Sequence, residues 1–195
     1  ILFFSRRIGL SQGQSVPVIA GGRVTGRAGA YSIGAINIQT AEKTSAGAPS
    51  TNFTVARIKR DILARSSIGL ITTHRDPSGL GPSNTAGGFD ANFGFFQNVT
   101  LTTLYAKSTA PKVSGPDDTY GAQYAYAHDR YGLTADRVKV GGAFNPEVGF
   151  VRRYDMRRNM ATARFSPRLR NNKLVRKYIS QGSVDYVENG AGRLE

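Results

Sequence analysis

The chain has 195 residues, with 26 Lys and Arg against 13 Asp and Glu, a formal net charge of +13. It has no cysteine, which excludes disulfides, thiolate metal sites and a cysteine nucleophile. Its 23 glycines suit bent strands and tight turns better than helices, and no run approaches the roughly 18 apolar residues of a membrane helix.

The chain opens with ILFFSRR and closes with GAGRLE, ends that read as cut, so a single domain over 1–195 is expected to be part of a longer one. From Arg23 to Thr40 the row RVTGRAGAYSIGAINIQT alternates. Val24, Ala28, Ala30, Ile36 and Ile38 take one face, and Arg23, Thr25, Arg27, Asn37 and Gln39 the other. A period of two predicts a strand with one apolar and one polar face, longer than the usual five or six residues of a soluble sheet. The cluster QTAEKTSAGAPSTN (39–52) predicts a loop.

TNFTVARIKRDILARS (51–66) fits two periods. Val55, Ile58, Ile62 and Leu63 fall at helical spacing, whereas a strand sets Thr54, Ala56 and Ile58 against Arg57 and Lys59. Its neighbours favour the strand. SSIG (66–69) reads as a short connection, and Ile68–His74 as the next strand. HRDPSGLGPSNTAGG (74–88) predicts a long loop.

Phe89, Ala91, Phe93 and Phe95 then alternate with Asp90, Asn92 and Gly94. Val99–Lys107, Tyr120–Ala127 and Tyr131–Val140 are further strands, separated by KSTAPKVSGPDDTYG (107–121) and AHDRYG (127–132). GGAFNPEVGF (141–150) reads as a strand-to-strand corner, since Asn145 and Pro146 preset a turn and Gly149 relaxes the next step. Ala161, Ala163 and Phe165 oppose Thr162 and Arg164, and Tyr178, Val184 and Tyr186 oppose Gln181, Ser183 and Asp185. Long polar loops alternating with short turns follow the rim pattern of up-and-down membrane barrels.

Catalytic constellations are missing from the row. The two histidines, His74 and His128, stand beside turn clusters without gathered carboxylates. No Gly-x-Ser-x-Gly elbow occurs, and GGRVTGRAG lacks the Gly-Lys-Ser/Thr end of a phosphate loop. Asp117 and Asp118 lie in a Pro/Gly loop, where turn formation is the ordinary use of Asp. No catalytic residue, metal or cofactor is therefore expected. A basic balance raises nucleic acid and anionic surfaces, but apart from a patch over Arg152–Lys177 the cations are scattered, without a nucleic-acid motif.

FNPEVGFVRR, together with GGRVTG, IGAINIQT, NFTVARIKRDI and the leading FFSRRIGL, is similar to a family of bacterial proteins. In these, an N-terminal domain similar to family 9 carbohydrate-binding modules precedes a large domain of unknown function 5916, which resembles an outer-membrane β-barrel. The resemblance runs from Phe3 to Glu195 and rests most on Ile33–Thr40 and Phe144–Phe150. It implies a Gram-negative-type outer membrane, lipid as the partner, and a carbohydrate ligand reached through a domain upstream of these residues.

The expectation is thus an all-β chain, an antiparallel up-and-down meander forming part of a transmembrane β-barrel that binds or passes a solute. Nucleic acid is not expected as a partner. The alternative is a soluble, basic, β-rich module that binds polyanions. In the barrel, Val24, Ala28, Ala30, Ile36, Ile38, Phe89, Ala91, Phe93, Ala161, Ala163, Val184 and Tyr186 would face lipid. Arg23, Arg27, Asn37, Gln39, Asp90, Asn92, Arg164, Gln181 and Asp185 would line the lumen and meet the solute.

Overall fold

Alternation of apolar and polar residues becomes strand almost throughout. The computed structural model describes residues 2–78, 81–109, 114–169 and 175–195. After a short hairpin of β1 (Leu10–Ser11) and β2 (Gln14–Ser15) come ten long strands. They are β3 (Val18–Ala28), β4 (Tyr31–Thr40), β5 (Thr51–Ile62), β6 (Ser66–Pro77) and β7 (Asn84–Phe95), then β8 (Val99–Thr109), β9 (Asp118–Ala127), β10 (Tyr131–Val140), β11 (Met156–Phe165) and β12 (Ser180–Asn189). Each pairs antiparallel with its neighbour in sequence, giving one ten-stranded up-and-down meander with β3 and β12 at its edges. The sheet is open.

The row Arg23–Thr40 is not one strand. Gly29, at φ +56°, and Ala30 form a two-residue turn that folds β4 back on β3, pairing Ala28 with Tyr31. Glycine accepts this left-handed backbone without a Cβ clash. The fold-back exchanges the faces. Partners across a ladder share a face, and Arg23 is the partner of Ile36 while Gly22 is the partner of Asn37. Ile36 and Ile38 therefore join Arg23 and Arg27, Asn37 and Gln39 join Val24, and Ala30 sits in the turn.

Segment 51–66 is extended: β5 pairs with both β4 and β6 along its length. The connection lies at 63–65 rather than at Ser66–Gly69, and the loop expected over 74–88 narrows to 78–83 because the flanking strands run on. Turns at one end of the sheet, 29–30, 63–65, 96–98 and 128–130, are short, and connections at the other, 41–50, 78–83, 110–117 and 141–155, are longer. The connector 166–179 breaks this rule at the short-turn end.

Among the described residues the packed core clusters lie on one face. Phe53, Val55 and Val148 form one cluster, with Phe3, Ile8, Ile36 and Ile71 against it. Ala106, Val140 and Phe144 form a second, with Leu2, Val138, Val151 and Met156. Both are closed by chain outside the sheet, namely the N-terminal segment and the 141–155 connection. Burying side chains such as Phe144 and Val148 stabilises by about 1.5–3 kcal/mol each.

Candidate functional site

Following the ladder partners from strand to strand sorts the sheet into two faces. Arg23, Arg27, Asp90, Asn92, Arg164, Gln181 and Asp185 share one of them, here the inner face, with Arg57, Asp136 and Arg158. Asn37 and Gln39 fall on the opposite, outer face near the long-connection end, where Asn37 donates to Asn52 and Thr54 and Gln39 donates to Ser50. Val24, Phe89, Ala91, Phe93, Ala161, Ala163, Val184 and Tyr186 share that outer face with Ile33, Leu70 and Leu133. Many of these outer apolar groups are uncovered: Val24 is 70% exposed, Val184 68% and Leu70 60%.

Two inner-face ion pairs bridge alternate strands. Arg27 reaches Asp61 at 2.7 Å across β4, and Arg57 reaches Asp90 at 2.7 Å across β6. Gly69 makes the second bridge possible, since a Cβ there would stand 3.0 Å from the Asp90 carboxylate and 3.2 Å from the Arg57 guanidinium. Arg158 grips Asp185 with two contacts, at 2.9 and 2.6 Å. Arg164 lies over Gly132 and donates to the carbonyl of His128 and the hydroxyl of Ser166.

The corner expected at Gly141–Phe150 does connect β10 to β11, but it folds inward across the inner face. Gly141 and Ala143 donate to the carbonyls of Asp118 and Pro116. A Cβ on Gly141 would run into the Pro116 carbonyl, so only glycine permits this approach. The Asn145 amide donates to the Ser108 hydroxyl at 2.7 Å, and the Glu147 amide to the Asn84 side-chain carbonyl at 3.1 Å. Asn84 returns a bond from its own amide to the Asn145 carbonyl at 2.9 Å. Arg75 fixes the Glu147 carboxylate at 2.8 Å, and Phe4 donates to the Val148 carbonyl.

Asn84, Ser108, Arg75 and Glu147 were not singled out by sequence reading. Asn84 and Ser108 stand at strand ends beside turn clusters, where such residues ordinarily serve turns. Full burial of Ser108 and near-complete burial of Asn84 mark them as clamps.

Beside this loop lies a cleft of about 720 Å³. Its apolar wall includes Leu104, Val138, Val140, Phe144, Val151 and Met156, and Arg57, Asp90, Arg152 and Arg153 also line it. Gly88 keeps its floor low, since a Cβ there would press on Ala106, Leu2 and the Tyr105 carbonyl.

Among the described residues no three His, Asp or Glu gather as metal ligands. His74, paired with Thr85, stands towards the long-connection end of β6, and His128 in the opposite short turn. At that turn Asp129 bonds Arg168 and Lys177, which hold its carboxyl at about 2, below the ordinary 3.8. Among the described residues no helix is long and apolar enough to cross a membrane, which says nothing of strands. No family model matches the chain, and neither a curated protein nor a solved structure matches it.

Proposed function

We propose that this chain forms part of a transmembrane β-barrel in a Gram-negative-type outer membrane, with the inner face lining a lumen that binds or passes a solute. The observation that carries this reading is the inverted distribution of packing. Many apolar groups of the outer face are bare, with Arg60, Arg137, Lys139 and Arg157 towards its ends, while the inner face carries the loops and the only core clusters among the described residues. Water on the charged side and hydrocarbon on the other would satisfy both.

Two further features agree. The ten strands run for 10 to 12 residues, against the roughly 9–11 of a tilted membrane strand. Short turns at one end and longer connections at the other follow the usual barrel arrangement. In hydrocarbon every backbone amide must pair, so the exposed edges of β3 and β12 call for further strands to close the ring. The motif resemblance to domain of unknown function 5916 supports the same compartment, and by association a glycan ligand held by an upstream module. The inward 141–155 loop would narrow the lumen.

Cysteine scanning tests this reading on a chain that has no cysteine of its own. Thiols at Leu70, Phe89 and Val184 should react with a lipid-phase reagent, and thiols at Asn92, Gln123 and Gln181 with a water-phase one. Equal labelling of both sets from water would overturn the barrel and return the soluble basic module, whose polyanion affinity would fall steeply with salt.

A further inference from the structure

We propose that the cleft between the 141–155 loop and the inner face of the sheet binds an amphipathic anion, a medium- or long-chain aliphatic carboxylate. The inference rests on the reading of this face as a lumen and names the ligand class for it. A volume of about 720 Å³ lies within the roughly 300–1,000 Å³ of small-molecule sites. Its wall, from Leu104 through Val140 and Phe144 to Met156, offers an aliphatic chain contact and offers a sugar little. Hydroxyl groups moved from water against such a wall would lose hydrogen bonds without replacement.

Charge at the margin selects the head group. Arg57 is neutralised by Asp90, and Arg153 by Glu195. Arg152 lines the cleft and has no acidic partner among the described residues. A guanidinium presents a planar fork that matches a carboxylate bidentately. Leu2 packs over Gly88 and against Ala106, so the floor beside which the chain of the ligand would lie is aliphatic. Apolar wall, aliphatic floor and one uncommitted arginine together describe a site for a tail and a negative head.

The test uses the protein in lipid nanodiscs and dodecanoate carrying a terminal diazirine, with photolabelled peptides mapped by mass spectrometry. Label is expected on Leu104, Val140, Phe144 and Met156 and should be competed by plain dodecanoate. Dodecanol with the same diazirine should be captured at least about tenfold less, the worth of a charge-assisted hydrogen bond. Arg152→Gln, a loop change that leaves the sheet intact, should bring the carboxylate down to the level of the alcohol. Leu104→Gln should weaken capture of both, and each methylene removed should weaken it by about fourfold.

Equal capture of acid and alcohol, unchanged capture by Arg152→Gln, or label confined to outer positions such as Leu70 and Val184 would overturn the inference. A lipid-soluble carbene reagent run in parallel separates the two readings. If it marks Leu70 and Val184 while dodecanoate leaves the cleft unmarked, the barrel stands and the ligand falls. If it fails to mark them, the barrel itself falls.

Discussion

The outer and inner faces of this sheet differ in a way that reverses the usual soluble protein. Outside, Val24, Leu70, Phe89 and Val184 are half or more exposed. Inside, among arginines and aspartates, Phe53 and Val55 are closed over by Phe3, Ile8 and Val148 of the 141–155 loop. In water the apolar face would be the one to gather a cover, because that is where burial is favourable. On the proposed barrel reading the solvent around the outer face is itself apolar, and chain folds in on the inner side instead.

The sharpest break in this contrast is an outer-face charge. Leu70→Arg should cost about 2–4 kcal/mol near the bilayer midplane and block insertion into vesicles. Asn92→Arg, one strand away on the inner face, where the Asn92 side chain donates to the Thr102 hydroxyl, should insert nearly as well as the parent. Urea titration of the protein in lipid vesicles reads both. Equal penalties would erase the distinction between the faces.

The next effect concerns the inner cover. Asn84→Ala strands the Glu147 amide and the Asn145 carbonyl under a buried loop. Leaving such groups unpaired should cost about 1–3 kcal/mol each. We expect faster amide exchange at Asn145 and Glu147 with the outer-face labelling unchanged. Gly69→Ala should be milder. Its new methyl displaces the Arg57–Asp90 pair, which is partly exposed and worth no more than about 1 kcal/mol. In a conducting barrel the change should appear as a shift in ion selectivity more than as lost stability.

The smallest effect lies at the rim. Because Arg168 and Lys177 lower the folded carboxyl of Asp129 to about 2, its ionised form favours the folded connector above the ordinary value of 3.8. That contribution is lost as pH falls from about 4 through about 2. Amide exchange at Ser166 and Tyr178, whose amides bond Arg130 and Pro167, should quicken over that window once intrinsic exchange is allowed for. Asp129→Asn should remove the pH dependence while leaving both faces as they are.

Legibility in the sequence followed the range of the forces involved. Phe89, Ala91 and Phe93 against Asp90 and Asn92 could be assigned opposite faces because alternation within one strand is fixed by its own backbone. Asn37 and Gln39 could not be joined to Arg23 in the same way. Whether two rows share a face depends on how many residues the turn at Gly29–Ala30 consumes, and one residue of slip exchanges every side chain.

The 141–155 loop shows the other limit. Asn145, Pro146 and Gly149 announce a turn, but not the direction in which it folds. That direction is set by Ser108 and Arg75, which lie 37 and 72 residues away from their partners in the chain. By itself the sequence determined the strands, their polarity and the placing of most connections, because propensity and period act over a few residues. Only the tertiary structure decided which rows face together, that the NPE turn lies on the charged side, and that a cleft opens beside it. Those outcomes come from ladder register and from hydrogen bonds between residues distant in the chain, which no local pattern encodes.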